Sequence, residues 1–279
     1  MGGFANVTAG ITNALAGKMQ RILFSKVMAS VSVALVPHSL WLATGMPGAG
    51  TNATVGPANG RALTSASAGA LDMNNAASGE NAHIVGGGIS SNTANATGTL
   101  ILCDRLCDVN LDVSANGAVT GAVAPSARMG STTAPGDGGQ LWMEVTTALS
   151  AAANGITISG NDGGGNGFAS FTITTAASAI VGRSVSAALW QPIGVSMMRS
   201  ISSVTLSVNN AATGVYNACV VRPLGHIPML AVSQYIERDF MVELPVLPPL
   251  FNDACLFFIY VPTAAVTATI FGEFRTLSG

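Results

Sequence analysis

Apolar residues recur at Ile11, Leu15, Met19, Ile22, Leu23 and Val27, spaced three and four apart as on one face of a helix. The spacing predicts one amphipathic helix within residues 8–30. From Pro37 to about Asn95 the periodicity disappears into Gly, Ala, Asn, Ser and Thr, with Gly45-Met46-Pro47-Gly48-Ala49-Gly50 and Gly86-Gly87-Gly88 as turn material. So long a stretch without pattern is expected to be an extended arm or loop ordered by its neighbours. Beyond residue 98, short β-branched and aromatic runs are separated by Gly, Asn, Asp and Pro clusters. They predict strands at 98–103, 109–113, 140–149, 155–160, 168–175, 202–208, 214–222, 255–261 and 265–274. Val204, Leu206 and Val208 alternate with Ser203, Thr205 and Ser207, and Val266, Ala268 and Ile270 alternate with Thr267 and Thr269, the period of sheets with one buried face. The expected fold is mainly β: a jelly-roll-like two-sheet β-sandwich over 99–279, an N-terminal amphipathic helix within 1–36 and an extended segment over 37–98. No internal repeat points to a propeller or a solenoid.

Charge changes the picture. Only 9% of the residues are charged, and the two lysines, Lys18 and Lys26, both lie near the N-terminus. Most of the surface must then be Ser, Thr, Asn, Gly and Ala, which suits a protein packed against copies of itself or a partner. Scattered basic residues and a net charge of −2 give no stripe that could neutralise a run of phosphates, so direct nucleic-acid binding is not expected. The most apolar stretch, Ile22 to Val36, is broken by Lys26 and several serines and is too short to span a bilayer, so no membrane association is expected. Lys26 also lies against the apolar run from Val27 to Val36, and this argues against a secretory signal there.

Candidate chemistry is sparse. His38, His83 and His226 lie far apart, and no spacing brings two of them together as metal ligands. Cys103-Asp104-Arg105-Leu106-Cys107 lacks the second pair or nearby histidine that a zinc site needs. Of the four cysteines, Cys103, Cys107, Cys219 and Cys255, three lie in apolar contexts and read as buried free thiols; a disulfide between Cys103 and Cys107 would need a turn at Asp104-Arg105, and the simpler reading is two unpaired thiols. Gly45 to Thr51 has the two glycines of a phosphate loop, but Thr51 stands where the lysine belongs. Gly160-Asn161-Asp162-Gly163-Gly164-Gly165-Asn166-Gly167 resembles one calcium-binding turn without a stacked repeat, and reads as a hairpin tip. No nucleophile elbow and no spaced carboxylate pair occurs. The residues therefore point to no catalytic, cofactor or metal site, and the asparagine sequons at Asn6, Asn52 and Asn95 carry no information in so Asn- and Thr-rich a chain.

A series of short blocks resembles the virion head proteins of tailed bacteriophages. Leu100-Ile101-Leu102-Cys103-Asp104-Arg105-Leu106 is similar to that family's strand entering a turn of sequence DRL. Gly139-Gln140-Leu141-Trp142-Met143-Glu144-Val145 is similar to its aromatic strand. Asn154 to Ile158, Gly182-Arg183, Arg199 to Leu206, Cys219 to Leu224 and Asp253 to Phe258 follow in the family's order, and Ser39 to Gly45 matches an aromatic block upstream. The resemblance covers residues 39–274 and is interrupted by the stretch from Gly45 to Asn95. It implies a virion component without enzymatic activity and without a cofactor. Capsid decoration is the further expectation: a homo-oligomer, expected as a trimer, binding the major capsid protein on the head. The helix face of Ile11, Leu15, Met19 and Ile22 is then expected to dock on a neighbouring subunit. A neck, tail or fibre-anchoring protein and a secreted carbohydrate-binding sandwich are the alternatives.

Overall fold

The computed structural model describes residues 7–54, 60–93, 95–112, 118–120, 128, 139–150, 155–174, 180–186, 198–208, 213–230, 234–243, 247 and 249–279. The chain opens with helix α1 (Val7–Asn13) and a π-helical turn (Ala14–Lys18), followed by β1 (Met19–Val27), β2 (His38–Ser39), β3 (Thr44–Met46) and β4 (Arg61–Ala62). Then come β5 (Ala82–Ser91), β6 (Gly98–Asp112), β7 (Ala118–Thr120), β8 (Gln140–Thr147), β9 (Gly155–Asp162), β10 (Phe171–Thr174) and β11 (Ser184–Ser186). The last part holds β12 (Met198–Val208), β13 (Val215–Met229), β14 (Ile236–Asp239), the short helix α2 (Phe240–Glu243), β15 (Pro249–Leu250), β16 (Leu256–Pro262) and β17 (Thr269–Ser278).

The described strands form three sheets, all of whose strand pairings are antiparallel. The central sheet has the order β11-β8-β13-β6-β16-β2, with β4 also on β6. Its two long strands, β6 and β13, are each 15 residues, long enough to carry two cores. Leu100, Leu102, Ile227, Phe258 and Tyr260 pack against Ile22, Phe24, Ile84, Ile270 and Phe274 of an N-terminal sheet ordered β14-β5-β17-β1-β3, with β15 on β5. Further along, Leu111, Leu141, Val145, Tyr216 and Val220 pack against Ile156, Ile158, Ile173, Ile201 and Val204 of a four-stranded sheet ordered β10-β9-β12-β7. A third cluster lies on the central sheet's other face, where Trp41, Leu63 and Ala70 cover Cys103, Cys219, Cys255, Phe257 and Ile259. The mainly β, sandwich class read from the sequence holds, with the central sheet shared between two packings.

Three expectations are corrected. The helix expected over 8–30 ends by Lys18, and Met19–Val27 is a strand whose partners are β17 over its whole length and β3 at Ser25–Val27. The separation of residues 1–98 from the sandwich does not hold either. β1 and β5 flank β17 in one sheet, and His38–Ser39 and Arg61–Ala62 pair with β16 and β6. Finally, the break expected between 103 and 109 is absent. β6 runs through it with Leu106 as a bulge, because Cys107 pairs with Val220 and Arg105 with the next residue, Val221.

Gly86-Gly87-Gly88, read as a turn, lies inside β5. A side chain at Gly87 would strike Phe274 below the sheet, and one at Gly88 would strike the Tyr235 ring above it. Glycine is required there for close approach, which is one of the roles it takes within a strand.

Candidate interaction surface

β1 alternates cleanly: Ile22, Phe24 and Lys26 are buried, while Met19, Arg21, Leu23 and Val27 are exposed. Paired residues of neighbouring strands point to the same face. The outer face of the N-terminal sheet therefore carries Leu23 beside Glu273, Ser25 beside both Phe271 and Met46, and Arg21 beside Arg275. Tyr235 joins them by lying over Gly88. Leu23, Met46, Tyr235 and Phe271 line a groove of about 400 Å³ together with Arg21, Ser25 and Glu273. Its charged rim is self-paired, Arg21 with Glu273 and Arg275 with Glu237.

α1 lies at the other end of the same face. Leu277 pairs with Met19 and so points outward, yet it is buried. The cover is α1, whose buried Gly10 sits so close that a side chain there would meet Leu277 and Met241. Ile11 (56% exposed) and Leu15 (85% exposed) stay in solvent. Of the residues expected to form one docking face, Ile11, Leu15 and Met19 are exposed. Ile22 is corrected to the core, because the chain is a strand there and Ile22 points away from Met19. Sequence reading missed Met46, Tyr235 and Phe271, which complete the surface.

Among the described residues, Ile11, Leu15, Met19, Leu23, Val27, Met46, Tyr235 and Phe271 are the exposed large apolar residues of this face. Charge, by contrast, is drawn inward. On the face of the central sheet under Trp41, the Arg105 guanidinium donates to Glu144 at 2.8 Å and to Asp108 at 3.4 Å, all three fully buried. It also stacks 4.8 Å from the Trp41 ring and 5.3 Å from Phe257. Burial works against the Arg105 charge, but Glu144 and Asp108 more than offset it and hold the group protonated. Arg61 donates to both Asp108 oxygens, at 2.9 and 3.2 Å. Buried Asp104 takes Arg128, the Cys255 N–H and, at 3.8 Å, Arg222; burial pushes its carboxyl up and the two guanidinium groups pull it back.

The motifs singled out in the sequence resolve into structure. Lys26, buried in β1, donates to the carbonyls of Ala43, Pro47 and Gly48, so the glycine-bearing loop after Ala43 presents oxygens to a lysine and no phosphate cradle. Burial lowers Lys26 to about 8. The Gly160–Gly167 segment is a hairpin tip, closed by Gly165 N–H to the Asp162 carbonyl and Asn166 N–H to the Asp162 carboxylate. All four cysteines are free and buried; burial pushes the Cys107 and Cys255 thiols up to about 12. His38 is buried in β2, and burial lowers it to about 4. Among the described residues no cluster of three metal-ligating side chains occurs, and no helix is long and apolar enough to cross a membrane.

No protein-family model and no curated protein matches the chain. Among solved structures, that of the infectious bursal disease virus Gt strain aligns over 93% of this chain and 80% of its own, at 8% identity and a TM-score of 0.19. The infectious bursal disease virus VP2 subviral particle aligns over the same shares at 8% identity and a TM-score of 0.18. The T=1 particles derived from infectious bursal virus align over 93% and 77%, at 9% and 0.19. Likeness at these scores carries no argument about what this chain does.

Proposed function

We propose that the chain is a non-enzymatic structural protein of a tailed-bacteriophage virion, a decoration or cement protein that stabilises the head by binding the shell of major capsid protein. The observation that carries this reading is the placement of charge. Lys26, Asp104, Arg105, Asp108, Arg128, Glu144 and Arg222 are all buried in a chain with few charges to place. With these seven withdrawn into the interior, few charged side chains are left for the surface. One outer sheet face is apolar, as described above. Another, on the four-stranded sheet, is lined with hydroxyl pairs, Thr157 with Thr172 and Ser159 with Ser203. Faces of this kind suit permanent contact with protein, not free diffusion. The blocks that resemble the phage head family support the same reading by their position. Leu100–Leu106, Gly139–Val145, Cys219–Leu224 and Asp253–Phe258 fall on or lead into β6, β8, β13 and β16, consecutive strands of the central sheet.

A cement protein works through many weak contacts repeated over a shell. Virions stripped of this chain should rupture at a lower temperature than intact ones, and adding the chain back should restore the difference. Equal rupture temperatures with and without it would refute the cementing role.

A further inference from the structure

We infer that a second copy of this chain covers the outer face of the N-terminal sheet, pairing about a two-fold axis so that α1 and the π turn of each copy seat in the other's groove. This contact needs nothing from the virion reading and would stand if that reading fell.

One face carries both a projection and a hollow. The projection is α1 with its π turn, seated over Leu277 and presenting Ile11 and Leu15. The hollow is lined by Leu23, Met46, Tyr235 and Phe271. The Met19–Leu277 row and the Leu23–Glu273 row are four positions apart, about 13 Å along the strand. Between them runs the Arg21–Arg275 row. A two-fold axis through that row carries each projection onto the opposite hollow, the self-complementarity that an isologous contact requires.

Charge permits the contact. Residues 7–17 carry no charge, and Lys18 at the end of the π turn is paired with Glu80, so the projection brings no unpaired charge into the hollow. The row at the axis is balanced, Arg21 and Arg275 against Glu273 and Glu237, so facing copies do not repel. The area is also sufficient. The nine-residue β1 in a five-strand path gives a face of about 30 Å by about 19 Å, one end of which is occupied by the helical segment. The resulting area of about 570 Å² per copy is close to the roughly 600 Å² at the lower end of standard stable interfaces. Because projection and hollow share one face, the contact closes as a pair, where the sequence suggested a trimer.

Sedimentation of the full chain tests this. The wild type should be a dimer at about 10 µM, and Leu15→Glu and Leu23→Glu should each raise its Kd by about 100-fold or more, since each places a charge in the apolar contact. Both positions are exposed, so circular dichroism should match the wild type, as should the melting temperature at a concentration low enough for the wild type to be monomeric. A mixture of Leu15→Cys and Met46→Cys chains should form a disulfide between unlike chains on oxidation, while neither variant alone cross-links. A wild type that stays monomeric at about 100 µM, a trimer, or dimers untouched by both glutamates would overturn the inference. A monomer that still binds virions would overturn it while leaving the virion reading intact.

Discussion

Replacing Glu144 with Gln should be among the most destabilising single-atom-scale changes in this protein. Arg105 is fully buried and donates to Glu144 at 2.8 Å, with Asp108 at 3.4 Å as its other carboxylate. Asp108 is already shared with Arg61, at 2.9 Å, and with Asn217, at 3.2 Å. Gln keeps the shape and removes the charge, leaving two guanidinium groups on one carboxylate in a site closed by Trp41 and Phe257. Breaking a buried pair in this way costs about 3–5 kcal/mol, which for a chain of this size lowers the melting temperature by roughly 10 °C. Urea unfolding followed by tryptophan fluorescence and circular dichroism gives the free energy, with coincident transitions as the check on two-state behaviour. The double variant Arg105→Met with Glu144→Leu separates pairing from packing. It removes both charges, leaves Asp108 with Arg61, and puts a thioether against the two rings, so it should return to within about 1 kcal/mol of the wild type. A loss under about 1 kcal/mol for the Gln variant, or a double variant as unstable as the single one, would refute the reasoning.

Three further outcomes follow from the same structure. His38, lowered to about 4 by burial, stays neutral in the fold while the unfolded chain takes up a proton below about 6.5. Stability should therefore fall as pH drops from about 6.5 to 4, by up to about 3 kcal/mol, and His38→Gln should flatten that part of the profile. The thiols of Cys107 and Cys255, at about 12, should resist iodoacetamide at neutral pH and react only after unfolding; labelling of the native chain would contradict their burial. A chain beginning at residue 98 lacks β1 and β5 and so strips both neighbours from β17. It should fail to give a cooperative melting transition, and a well-folded fragment would show that the N-terminal sheet is dispensable.

Most of the strands after residue 98 could be read from alternation, although the alternating Val266 and Ala268, buried as expected, precede the strand they were read into, which begins at Thr269. β1 misled for a physical reason. Met19, Leu23 and Val27 are four apart, a spacing that fits one face of a helix and equally one face of a strand; only the pairing with β17, some 250 residues away, decides between them. β6 was read as two strands because Asp104, Arg105 and Asp108 look like turn residues. They are tolerated inside because Glu144, Arg61, Arg128 and Arg222 reach them from other elements, and no local pattern announces such partners. The interaction surface was half legible. Ile11, Leu15 and Met19 stood out as apolar, but Met46, Tyr235 and Phe271 join them only once β3, β5 and β17 assemble around β1.

The most direct test of the virion reading is a cryo-EM map of the assembled particle, at a resolution that traces strands. It should show many copies of this three-sheet fold on the outside of the head, spanning joints between major capsid proteins, with the Leu23, Met46, Tyr235 and Phe271 surface occluded by protein. A map with the fold confined to the neck or tail, or missing from the particle, would contradict the account.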